Sequence, residues 1–175
     1  WTLYNDFLVA SDGRQAVDLT GFTSVELRGG NGNNRIEVVS WQGDVTINGG
    51  GGSDTIILHA DSGATVTVED NGPGDELDIS ATSGPDWIVV TATQVNIYPD
   101  ETLTVPLFHV TYNPGVTALA GVLRIFSGLG VDEIIVVGTS TTGLILDGGE
   151  DADLYKLQHS DPQTRTRVSD TGAND

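Results

Sequence analysis

The residues best placed to do chemistry sit in glycine-rich turns. The segment GGGGSDTII at 49–57 sets a run of glycines before Asp54, and GGNGNNRIE at 29–37 repeats the pattern with Asn34 at the acidic position. SGLGVDEII at 127–135 carries Asp132, GGEDADLYK at 148–156 carries Asp151 and Asp153, and the turn DNGPGDEL brings Asp75 before its strand. Glycine lets a backbone curl so that several carbonyl oxygens point inward, and aspartate adds a charged oxygen. A hard cation such as calcium needs that combination, since it takes roughly six to eight oxygens. Carboxylates stacked ~5 Å apart would repel by ~3 kcal/mol at an effective dielectric of 20, and a divalent ion between them would reverse the sign. The same residues also work without a metal, because Asp and Asn tolerate left-handed backbone and hydrogen-bond the local chain. Both uses are open.

Other chemistry is thinly supplied. The basic residues Arg14, Arg28, Arg35, Arg124, Lys156, Arg165 and Arg167 form no repeated cluster with carboxylates, and there is no G-x-S-x-G nucleophile turn. His59, His109 and His159 are isolated in sequence. Trp1, Trp41 and Trp87 could stack on sugars or anchor the packing. The chain is therefore not read as an enzyme. Its 175 residues hold 25 Asp plus Glu against 7 Lys plus Arg, a formal charge of −18. That balance opposes binding to nucleic acid and to anionic membranes, and favours cations or a salty exterior. With no cysteine, disulfides and thiol zinc sites are excluded. No apolar run is long enough to span a membrane as a helix, so no membrane insertion is expected.

The elements that must position these turns are strands. VELRG (25–29), RIEVV (35–39), DVTING (44–49), DTIILH (54–59), ATVTVED (64–70) and ELDIS (76–80) alternate apolar and polar residues and are rich in Val, Ile and Thr. The turns beginning at Gly29, Gly49 and Asp70 recur every 20 or 21 residues. A hairpin meander has no reason to repeat one turn sequence at every second turn, whereas stacked coils do. A longer repeat supports this: an offset of 98–100 residues lays GNGNNRIEVV on GLGVDEIIVV, VTINGGGGSDTIIL on LILDGGEDADLYKL, and ATVTVEDNGPGD on TRTRVSDTGAND. The expected fold is all-β: a parallel β-solenoid of two tandem related modules, 1–84 and 85–175. Each module opens on a Trp strand (WTLYNDFLV, DWIVVTATQV), and an irregular hairpin is inserted near 95–121, with 108–121 as a surface protrusion. Ile36, Val38, Ile47, Ile56, Leu58, Val66, Val68, Leu77 and Ile79 are expected to face inward.

At residues 49–57 the chain fits the nonapeptide G-G-x-G-x-D-x-U-x at every fixed position, and elsewhere it fits in degenerate form. It thereby resembles the RTX, or haemolysin-type, β-roll repeats of large secreted bacterial surface proteins. That resemblance implies calcium held between neighbouring coils, with Asp54, Asp75, Asp132 and Asp153 and the carbonyls of Gly49 and Gly51 as ligands. It also implies an extracellular or cell-surface location. The expected function is structural: a scaffold, stalk or filament-forming segment. A calcium-dependent adhesion or carbohydrate-binding module is the alternative, and a polysaccharide-acting β-helix enzyme a third. Residues 164–175 align with 64–75, so Asp175 falls on Asp75, after which the first module continues with ELDIS. The expectation is that further coils of a longer chain, or a second copy placed head to tail, supply the strand that would come next.

Overall fold

The computed structural model describes residues 1–69, 74–112, 121–139, 141, 143–158 and 165–170. Period-two runs become strands because alternate side chains point to opposite faces and one face of each run is apolar. In chain order these are β1 (Thr2–Leu3), β2 (Phe7–Val9), β3 (Ala16–Asp18), β4 (Ser24–Arg28), β5 (Arg35–Val38), β6 (Asp44–Asn48), β7 (Thr55–His59), β8 (Thr65–Val68) and β9 (Glu76–Ser80). They continue with β10 (Trp87–Val90), β11 (Gln94–Tyr98), β12 (Phe108–Tyr112), β13 (Val122–Phe126), β14 (Glu133–Val136), β15 (Gly143–Asp147), β16 (Leu154–Leu157) and β17 (Arg165–Ser169).

Among the described residues the chain is all-β, in two mixed sheets. The larger runs β17-β15-β13-β9-β7-β5-β1-β2-β3 and the smaller β16-β14-β10-β11-β12-β8-β6-β4. From β4 to β9, and again from β13 to β17, successive strands alternate between the sheets, and each strand pairs in parallel with the one two places on; β9 pairs in the same sense with β13. Register is kept throughout: Ile36 lies beside Ile56, Ile56 beside Leu77, Leu77 beside Leu123, Leu123 beside Leu144, and Leu144 beside Thr166.

Two antiparallel meanders interrupt this order. β1–β2–β3 forms one border of the larger sheet. β10–β11–β12 lies inside the smaller sheet, with β12 parallel to β8 and β10 parallel to β14. This corrects the protrusion expected at 108–121. Phe108, Val110 and Tyr112 are buried core residues, because FHVTY alternates bulky apolar side chains on one face. The Tyr112 hydroxyl donates to the Thr91 carbonyl. Residues 113–120 lie outside the described ones.

The register also separates the two Trp strands. Leu3 lies opposite Val38 and Leu8, and Val90 opposite Val136 and Val95. Leu3 therefore takes the place of Val90, and Trp1 that of Ile88 rather than Trp87. The nine inward positions read from the sequence are all buried, and a single core cluster runs from Leu3 to Leu146.

The offset of 98–100 residues lays β4, β5, β6, β7 and β8 on β13, β14, β15, β16 and β17. Every strand and its equivalent lie in opposite sheets. The first meander belongs to the larger sheet and the second to the smaller.

Candidate functional site

Asn34, Asp54 and Asp75 each precede a strand of the larger sheet by one residue, and parallel register brings them into line. The Asn34 backbone N–H donates to Asp54 Oδ1 at 2.7 Å, and the Asp54 N–H donates to Asp75 Oδ1 at 3.0 Å. Because strands related by the offset of 98–100 residues lie in opposite sheets, a second ladder forms before strands of the smaller sheet. There the Asp86 N–H donates to Asp132 Oδ1 at 2.8 Å, and the Asp132 N–H donates to Asp153 Oδ1 at 2.9 Å. Asp54, Asp75, Asp132 and Asp153 each reach back to the neighbouring parallel strand and accept the N–H of the residue before it, which would otherwise lack a partner. The sequence-predicted ligands are thus two pairs: Asp54 with Asp75, and Asp132 with Asp153. Asp86 was not foreseen, since SGPD lacks the glycine pattern; its signal was an aspartate directly before a strand, as at Asp54 and Asp132.

The turns stack tightly. Gly50 has φ +99°, and a Cβ there would sit 2.2 Å from the Gly30 carbonyl oxygen. Of the two expected carbonyl ligands, Gly49 O accepts Asn34 Nδ2 at 3.0 Å, while Gly51 donates its N–H to Gly30 O at 2.9 Å. Asn34 Nδ2 also faces Gly30 O at 3.4 Å, Asp54 Oδ1 at 3.0 Å, and Gly32 O. One amide nitrogen fills the centre of an oxygen cluster.

On the next strand of the larger sheet, Asp54 can only accept. Asp54 Oδ2, Asp75 Oδ2, Asp86 Oδ1 and Asp132 Oδ2 are buried with no hydrogen-bond partner among the described residues, and these four side chains are at most 2% exposed. A carboxylate oxygen buried without a donor is costly. Desolvation pushes Asp132 up to about 6, and it raises Asp86 as well. A proton or a cation would relieve either group. Calcium does not fit the Asn34 rung, where amide hydrogens occupy the oxygens. The Asp54 and Asp75 rungs differ in donor chemistry, each offering a spare buried carboxylate oxygen of the kind calcium takes. Among the described residues no three acidic or imidazole side chains converge, so most of the ligands would be backbone oxygens.

The remaining candidates are packed otherwise. His59 Nε2 lies 3.2 Å from Glu37 Oε1, and His109 bridges Asn96 and Thr111; His159 is outside the described residues. Trp41 is buried, lining a cleft of about 380 Å³ with Asn5, Phe22 and Thr23. Arg124 pairs with Glu76 and Asp78, and Lys156 with Glu133. Comparisons with protein-family models, curated proteins and solved structures found no match.

Proposed function

We propose that the chain is a parallel β-solenoid of two related modules, 1–84 and 85–175, and that it serves as a structural scaffold segment at or beyond the cell surface. The supporting observation is the unbroken parallel register from Ile36 to Thr166 around one core. A stack of that kind lengthens by adding coils, each held by its neighbours. The charge of −18 keeps such particles soluble in a salty exterior. Small-angle scattering of dilute protein tests this reading. An elongated particle is expected, its long axis spanning the strand spacings of the larger sheet, roughly 40 Å; a spherical distance distribution overturns it.

A calcium-dependent adhesion module is the second reading, and the spare oxygens of Asp54 and Asp75 favour it. Bound calcium would neutralise buried carboxylates, drawing on Asp54 and Asp75 at one edge and on Asp132 and Asp153 at the other. Melting is expected to rise by several degrees in millimolar calcium and to return with chelator. An unchanged midpoint removes calcium from the account.

A further inference from the structure

We infer that β17 receives β3 of a second copy of this chain, in parallel and head to tail. The inference rests on the scaffold reading and names its partner. The molecule already contains such a joint. Within the chain, the third strand of a meander, β12, pairs in parallel with β8, the last smaller-sheet strand of the first module. β3 is the third strand of the equivalent meander, and β17 is the equivalent of β8 at an offset of 100 residues. Both occupy the ends of the larger sheet as described. β3 also runs in the same direction as the coil strands, since two antiparallel steps from β1 restore it.

The internal joint fixes the register. Val17 lies opposite Leu8 as Val110 lies opposite Val95, and Leu8 opposite Leu3 as Val95 opposite Val90. Val110 pairs with Val66 and Thr111 with Thr67. Carried to the ends, Val17 meets Thr166, Asp18 meets Arg167, and Leu19 meets Val168. The chemistry agrees with this placement. Val17 and Val168 are 49% and 42% exposed, although each belongs to a strand face that is apolar elsewhere in the stack. Asp18 and Arg167 are exposed and opposite in charge, where the internal joint has two threonines. Asp18 Oδ1 accepts the Thr20 N–H at 2.9 Å, and the carboxylate stays exposed. Arg167 has no ion-pair partner among the described residues. Charge thus selects ends that apolar edges alone would join indiscriminately. The contact is heterologous and non-closing, so it propagates as a filament.

Sedimentation velocity over a concentration series, with Asp18→Arg and Arg167→Asp, tests the inference. Both side chains are exposed, so each variant should keep the parent's circular dichroism. The parent is expected to form larger species as concentration rises, less so in high salt. Each variant alone opposes like charges and should associate about tenfold more weakly. An equimolar mixture restores both pairings in alternation and should associate like the parent. A parent that stays monomeric overturns the inference. Single variants that associate as the parent does, or a mixture no better than either, also overturn it. Dilute scattering distinguishes the two failures, since an elongated monomer that does not associate sinks only the docking.

Discussion

Asn34 and Asp54 occupy the same place before adjacent parallel strands and differ by one amide, which makes the pair a built-in comparison. Asn34 gives its hydrogens to surrounding oxygens, whereas Asp54 buries an oxygen that receives none. Asp54→Asn keeps an acceptor for the Asn34 N–H and removes a buried charge. Without calcium it should unfold in urea at the parent midpoint or above it, by up to ~1 kcal/mol. Asp54→Ala strips that acceptor and should cost about 1–3 kcal/mol in the same titration. If calcium sits on Asp54, the Asn variant loses its calcium response. The second ladder answers to pH. Asp132 holds its proton to about 6 when folded, against an ordinary 3.8. The native state therefore carries more protons between those values, and stability falls as pH rises from about 4 to about 6. The loss is at most roughly 3 kcal/mol; Asp86 adds to it in the same direction. Chemical denaturation at pH 4, 5, 6 and 7 should show the decline, and Asp132→Asn should flatten it.

At the scale of strands and turns, the two sheets tolerate neither charge inside nor bulk between neighbouring turns. Ile56 is buried between Ile36 and Leu77. Ile56→Asp puts an unpaired carboxylate into a dry interior and should abolish cooperative melting. Gly50→Ala adds a Cβ against the Gly30 carbonyl at positive φ, while Gly63, also at positive φ (+69°), has open space around it. Ala at 50 should therefore lower the melting temperature by several degrees more than Ala at 63, the excess reporting on turn stacking. Strands, inward faces and turn spacing were legible because period-two apolar runs and recurring glycines are local signals. The exchange of sheets was not, because the repeat length counts residues and says nothing of how many half-coils a meander consumes. For the same reason the sequence groups Asp132 and Asp153 with Asp54 and Asp75, although they precede strands of the smaller sheet. FHVTYNPG hid a core strand, since its Asn, Pro and Gly mask the alternation of Phe108, Val110 and Tyr112.

At the scale of the whole molecule, the two repeats share a core that crosses from one to the other. A single calorimetric transition is expected, with van't Hoff and calorimetric enthalpies equal; two resolved transitions would mean that the halves melt apart. The second meander has a mechanical consequence. The chain leaves β9, runs forward to lay β10 beside β14, then doubles back through β11 so that β12 fills the place beside β8. This is the path of a backstitch, each pass overlapping the seam behind it. Tension along the long axis cannot part the halves at a loop. It must pull open one of the sheet's own ladders at the seam, each joining four residue pairs as β14 and β16 do within a regular stretch. A sheet sewn in this way has no planned tear line where one repeat meets the next.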